Sequence, residues 1–179
     1  MELTLARLTP ESPDIGCFER INTEAFPPSE RMSMEELFDF ARDTDTEILG
    51  LYDEKTPVGF TVLLKNAVCG YVYFLAIDAQ MRSKGYGAAA LRALREAYPR
   101  LQIILDFEEI DEKAENLEQR IRRRKFYLRN GFHETGRYTF MMEDRFEVVC
   151  TGGELRADAF RELIAILHAR CPRFLDKLL

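Results

Sequence analysis

Apolar and polar positions alternate over residues 2–8, which predicts a strand, and the pattern then changes to a helical period over Ile15–Ala25. Ser12-Pro13-Asp14 supplies the start of that helix, with proline at its first position, and Phe26-Pro27-Pro28 stops it. A second helix is predicted from Ser33, where Glu36 completes a capping-box signature and Met34, Leu37, Phe38 and Ala41 form an apolar stripe. Three strand-like segments follow, 46–52, 58–64 and 71–78, separated by turn-rich stretches at 53–57 and 66–70. They read as an antiparallel meander.

The period then changes again. Residues 85–98 predict a helix with Leu91, Leu94 and Tyr98 on one side, stopped at Pro99, and 101–107 is a short, nearly all-apolar strand suited to burial on both faces. A long helix is predicted over 112–130, acidic at its start and basic at its end, with Leu117, Ile121 and Leu128 facing inward and Gly131 capping it. A hairpin, 137–142 and 145–151 around Glu143-Asp144, precedes a last helix at 156–170. The order β-α-α-β-β-β-α-β-α-β-β-α defines a mixed α/β fold.

Length and composition narrow the function. At 179 residues the chain is the size of one domain, and 46% apolar with 31% charged residues fits an ordered globular protein. The 25 Lys and Arg against 31 Asp and Glu leave a net charge of −6, which argues against nucleic acid or an anionic membrane as the general partner. No apolar run approaches the roughly 20 residues of a membrane span, and Met1-Glu2-Leu3-Thr4 lacks a signal peptide's form, so a cytoplasmic protein is expected. Cys17, Cys69, Cys150 and Cys171 are scattered and the two histidines, His133 and His168, have no ligand-spaced partner; buried thiols and no metal site are expected. The C-terminal hairpin and helix offer an edge through which a homodimer would form.

The informative stretch is Arg82-Ser-Lys84-Gly85-Tyr-Gly87-Ala88-Ala-Ala90, where a strand enters a basic loop and two glycines open a helix. The first N–H groups of a helix have no intrahelical partner and carry the positive end of its dipole, so a side-chain-poor start lets phosphate oxygens approach several donors at once. The ligand this predicts is a pyrophosphate; a plain turn followed by an alanine-rich helix is the alternative. Gly85-x-Gly87-x-x-Ala90 also fits the dinucleotide fingerprint, with Asp106 near the spacing of a ribose-binding acid. Against an NAD(P)-binding oxidoreductase, six residues, 79–84, separate the strand from the first glycine. A phosphate loop of the Gly-Lys-Ser/Thr kind is absent.

Arg82-x-x-Gly85-x-Gly87 resembles the Arg/Gln-x-x-Gly-x-Gly/Ala signature of the GNAT superfamily of acyl-CoA-dependent N-acyltransferases. Phe126-Tyr127-Leu-Arg-Asn-Gly131-Phe132 resembles that family's Phe/Leu-Tyr-x-x-x-Gly-Phe segment, and the element order over residues 2–151 matches its layout. The resemblance implies one N-acetyltransferase domain over 1–179, with 1–151 as the common core and 152–179 as a helical extension. It implies a mostly antiparallel seven-stranded sheet with a parallel, splayed pair at strands four and five.

The resemblance also implies a chemistry: transfer of an acetyl group from acetyl-CoA to a primary amine by direct attack. The backbone of Ser83, Lys84, Gly85, Tyr86, Gly87 and Ala88 would hold the coenzyme A pyrophosphate, with Arg82 nearby. Leu75, Ala76 and Ile77 would meet the pantetheine arm, the Leu75 N–H would face the thioester oxygen, and Tyr127 would protonate the departing thiolate. A fixed N–H stabilises the developing oxyanion and a positioned phenol suits a thiolate leaving group; helical geometry alone makes Tyr127 a core aromatic. Glu108, on the same strand face as Asp106, is the candidate base, and a solvated strand end is its alternative. The link bearing Glu24, Phe26, Glu30 and Arg31 is expected to recognise a small-molecule or peptide amine, its acids otherwise serving as helix-end charges. Arg120, Arg122, Arg123, Arg124, Lys125 and Arg129 read as a solvated or internally paired face. Arg120 and Arg123 stand where the family commonly has small or amide residues, which gives one of them the option of the coenzyme 3′-phosphate or Glu108. A non-catalytic acyl-CoA-binding module on the same scaffold is the competing function.

Overall fold

Strand β1 (Thr4–Arg7) pairs antiparallel with β2 (Thr46–Asp53), and β2 pairs antiparallel with β3 (Thr56–Lys65), which lies beside β4 (Cys69–Ile77). The computed structural model describes residues 2–179. They form two units, one made of residues up to Leu64 with Val72–Pro99, the other of Lys65–Tyr71 with Arg100–Leu179. The first unit also holds α1 (Ile15–Ala25), α2 (Met34–Arg42), a single 3-10 turn (Ala79–Met81) and α3 (Tyr86–Ala97). Its centre is β3, buried without interruption from Val58 to Leu64. Against the sheet, α3 turns Tyr86, Ala89, Ala90 and Ala93 onto Leu3, Leu51 and Val58, and Leu75 and Ile77 pack at the margin of that cluster.

In the second unit the first residues of β4 pair in parallel with β5 (Gln102–Glu108), Cys69 with Gln102, Gly70 with Ile103 and Tyr71 with Ile104. β5 pairs antiparallel with β7 (Asp144–Cys150), which pairs antiparallel with β6 (His133–Met141). The seven-stranded order is β1-β2-β3-β4-β5-β7-β6, the mixed α/β class and parallel fourth and fifth strands that the sequence implies. α4 (Leu117–Arg129) and α5 (Ala157–Arg170) complete the unit. After α5 the chain returns along β6: Tyr138 and Leu179 exchange backbone hydrogen bonds, and Leu175 and Met142 add two more. The edge expected to be open for pairing is therefore occupied here. Among the described residues no helix is long and apolar enough to cross a membrane.

Three expectations change. Pro13 is not the first residue of α1, because Ser12 Oγ takes the Thr9 N–H and closes a turn, so that the helix starts at Ile15. On α2 the Ser33–Glu36 capping box forms, but Phe40, tilted against Tyr73, is the buried aromatic, while Phe38 and Ala41 line an open groove. The long helix begins at Leu117 rather than at 112, because the Asp111 side chain captures the Lys113 N–H and its carbonyl the Ala114 N–H. Leu117, Ile121 and Leu128 are only half-buried, and α4 buries no residue fully.

Candidate active site

The glycine-opened loop is built in the first unit, at the end of β4. Asp78 is buried; it accepts from Arg20 at 2.5 Å and from the Gln80 N–H at 2.9 Å, so it caps the 3-10 turn. The Arg20 guanidinium holds the Asp78 carboxyl below the usual carboxylate range, outweighing burial. The Asp78 N–H donates to the Val58 carbonyl at 2.9 Å, tying the loop to β3. Nearby, a Cβ on Gly59 would stand 2.2 Å from the Ala76 carbonyl oxygen, so only glycine lets β3 approach β4 here.

Beyond this anchor the backbone turns left-handed at Ser83 (φ 62°) and at Gly85 (φ 90°), and α3 starts with no side-chain cap. A Cβ on Gly85 would meet nothing within 4 Å, so the residue is glycine for its backbone angle and not for want of room. Its carbonyl accepts from the Ala89 N–H at 3.1 Å. The N–H groups of Ser83, Lys84, Gly85, Tyr86, Gly87 and Ala88 donate to no other described residue. Six consecutive donors thus remain available at the positive end of a twelve-residue helix. Arg82 is exposed, with Nε 3.3 Å from the Ile77 carbonyl, and the exposed Lys84 lies against Met81 sulfur. The Tyr86 side chain is buried and donates to Asp53 at 2.6 Å, which leaves only its backbone for a ligand. The 3-10 turn between β4 and Gly85 replaces the direct strand-to-glycine turn of a dinucleotide site.

The α1–α2 link belongs to the same unit. Phe26 packs edge-on against Phe74 of β4, ring centroids 4.8 Å apart. Arg31 donates to the Thr23 carbonyl at 3.3 Å, the Glu30 N–H donates to the Pro27 carbonyl, and Glu24 is paired with Arg20. Buried Asn22 donates to the Met32 carbonyl at 2.8 Å, and Tyr73 donates to Met32 sulfur. Of the four recognition candidates, Phe26 is the one placed against β4, while Glu24 already has a cation.

Tyr127 stands on α4 in the second unit. Its ring stacks on Phe107 of β5, centroids 5.3 Å apart and 21° between planes, with Phe126 and Phe132 edge-on. Burial pushes its phenol pKa up, Arg123 opposes that, and Asp106 adds to it. The hydroxyls of Tyr52, Tyr71, Tyr86 and Tyr98 are all spent on carboxylates. That of Tyr127 has no partner among the described residues.

Glu108 lies where the α4 arginines reach it: Arg120 at 3.1 Å, Arg123 at 2.9 Å and the Asn116 amide at 3.2 Å. Arg124 pairs with Glu147 and Glu134. Four of the six basic residues are thus ion-paired, Arg120 and Arg123 on Glu108, while Lys125 and Arg129 are exposed, Arg129 lying over the Phe126 ring. Asp106, two residues earlier, has no cation among the described residues. Its Oδ2 accepts from Tyr71 at 2.9 Å and from Thr139, and burial raises its pKa to about 6 against the lowering effect of those two hydroxyls. Sequence alternation puts Asp106 on the face of Glu108; its two hydroxyl partners come from strands 35 and 33 residues away and leave no local trace. The Asp78–Arg20 anchor is equally long-range.

Known proteins share the fold that positions these residues. A Bacteroides thetaiotaomicron structure described as an acetyltransferase of the GNAT family aligns at 23% identity and TM-score 0.74, over 93% of this chain and 96% of that one. The ribosomal-protein-S18-alanine N-acetyltransferase of Escherichia coli aligns at 14% identity and TM-score 0.62, over 86% and 95%. A GNAT family acetyltransferase from Elizabethkingia anophelis, with acetyl-CoA bound, aligns at 11% identity and TM-score 0.60, over 86% and 99%. These likenesses show the fold. Among curated proteins, none matches the chain. The acetyltransferase (GNAT) family model matches residues 16–132, which span α1 through the Tyr127 helix and include the glycine loop, and the chain belongs to that family.

Proposed function

We propose that the protein transfers an acetyl group from acetyl-CoA to a primary amine by direct attack on the thioester. The observation that carries this reading is the run of six unpartnered backbone donors from Ser83 to Ala88 at the start of α3. A pyrophosphate is the dianionic group such a run suits, and Arg82 and Lys84 add charge beside it. Leu75, Ala76 and Ile77 supply the strand for the pantetheine arm, with the Leu75 N–H as donor to the thioester oxygen. Acetyl-CoA in the Elizabethkingia anophelis protein of the same fold supports the choice of carrier.

Acetyl-CoA brings the activated acyl carbon, and this chain's residues do the rest. A backbone N–H held by strand geometry needs no reorganisation as charge develops on the thioester oxygen. Tyr127, its ring fixed by Phe107 and its hydroxyl free, protonates the leaving thiolate. Phe26 gives the acceptor an apolar wall. Four free cysteines suit the reducing cytoplasm.

The test is release of free thiol from acetyl-CoA across spermidine, lysine and an alanine-terminated peptide. Tyr127→Phe is expected to lower the turnover rate about 100-fold while leaving coenzyme A affinity within a factor of about two. Coenzyme binding without thiol release from any amine would favour a binding module. Binding of NAD(P) with indifference to coenzyme A would end the assignment.

A further inference from the structure

We propose that Asp106, and not Glu108, takes the proton from the attacking ammonium. The inference rests on the acetyltransferase reading and deepens it. The two carboxylates share a strand face, and their surroundings differ in kind. Both oxygens of Glu108 are engaged by Arg120, Arg123 and the Asn116 amide, all from α4 and its N-terminal flank. That carboxylate anchors a helix. Asp106 has two hydroxyls on one oxygen, Tyr71 from β4 and Thr139 from β6. Its other oxygen, Oδ1, takes no hydrogen bond from any other described residue and is not sealed, the only sealed and unpartnered side-chain atom there being Asn22 Oδ1. One oxygen is thus held for orientation and the other is left to receive.

Hydroxyl donors orient a carboxylate without supplying the formal positive charge that would fix it as an anion. The titratable groups that bear on Asp106 are Tyr71 of β4 and Tyr127 of α4, with Glu108 next along the face; no cation pairs with it among the described residues. With a pKa raised to about 6, Asp106 is ionised at neutral pH and still basic enough to hold a proton briefly, the compromise general base catalysis favours. The negative charge of Asp106 also strengthens the hold of Tyr127 on its proton. Once Asp106 is protonated that effect lapses, and Tyr127 becomes the better acid at the stage when the thiolate leaves.

The protons balance as follows. An ammonium N–H bond breaks toward Asp106 Oδ1 and leaves a neutral amine, whose lone pair forms the C–N bond at the thioester carbon while the carbonyl π pair moves onto oxygen, to return as the thiolate leaves. The C–S bond breaks, the thiolate takes the Tyr127 proton, and the second nitrogen proton returns to the phenolate. One amide, one thiol and one proton on Asp106, released to solvent, are the products.

The experiment uses the full chain and whichever of spermidine, lysine or the alanine-terminated peptide the wild type acetylates fastest. Asp106→Asn is expected to lower kcat/KM at least about 100-fold, to leave the KM for acetyl-CoA within a factor of about two, and to abolish the acid limb of the kcat profile near pH 6. Tyr71→Phe removes a donor that holds the carboxyl down, so it is expected to move that limb to higher pH; it carries the test if Asp106→Asn does not fold. Glu108→Gln is expected to keep the limb where it is. An active wild type whose Asp106→Asn variant keeps both its rate and the limb overturns the assignment, as does loss of the limb in Glu108→Gln. A wild type that binds coenzyme A and acetylates none of the three amines overturns the enzyme reading, and the proton-acceptor role falls with it.

Discussion

α3 and α4 both lie on strands, and they are held there by different forces. α3 buries Tyr86, Ala89, Ala90, Leu91, Ala93 and Leu94, three of them alanines that bring the helix close to β1, β2 and β3. α4 buries none of its thirteen residues and carries six basic ones. Its attachments include the Glu108, Glu134 and Glu147 carboxylates, the Glu109 carbonyl that takes the Arg120 guanidinium, and the packing of Tyr127 on Phe107 and Phe132. Apolar burial contributes about 25 cal/mol per Å² and is not screened by salt, whereas partly exposed ion pairs are. The helix that opens at the glycine loop is therefore pinned by packing. The one that presents the phenol is pinned by charge and so is the easier to loosen.

The largest effect that sharpens this contrast is expected at Leu91, which is wholly buried on α3. Leu91→Ala removes methylenes from a closed site and is expected to cost about 2–5 kcal/mol, read as a drop in the urea midpoint that does not change between low and high salt. A cost below about 1 kcal/mol would mean that α3 is not the packed element described.

Glu108→Gln probes the other helix. The substitution keeps the size of the side chain but leaves Arg120 and Arg123 without their counter-charge, while its amide adds donors where acceptors are needed. Removing one partner of such a cluster is expected to cost about 1–3 kcal/mol, with amide exchange in Leu117–Arg129 speeding up before that of α3. Raising the salt toward 1 M shortens the screening length to about 3 Å and is expected to narrow the gap between variant and wild type. A gap independent of salt would count against a charge-held α4.

The same contrast explains what the sequence makes legible. Element order, strand meander, the Ser33 cap and the glycine-opened helix follow from period and local chemistry, and each is found in the structure. The glycine loop is legible because its features reside in the backbone: Gly85 is needed for one angle, and the unpartnered donors are a property of any helix start. α4 is less so. Its start is displaced by a single side-chain bond at Asp111, and its arginines find partners on β5, β6 and β7 that no helical period announces. Glu108 and Asp106 look alike along the strand. Only the long-range partners, two arginines for one and two hydroxyls for the other, tell them apart.

The smallest expected effect is also the sharpest control on that distinction. Arg122 sits on the same helix as Arg123 and carries the same charge, but it pairs only within α4, with Glu118 at 3.4 Å, and both side chains are mostly exposed (72% and 89%). A pair of that kind gains little over solvent and is largely screened, so Arg122→Ala is expected to change stability by less than about 0.5 kcal/mol. Arg123→Ala removes the same charge from the helix and is expected to speed amide exchange across Leu117–Arg129, because it takes one of the two guanidiniums off Glu108. If net helix charge alone held α4 in place, the two variants would behave alike. If the contact with β5 holds it, only Arg123→Ala moves the exchange rates, and the difference between two neighbouring arginines measures the anchor itself.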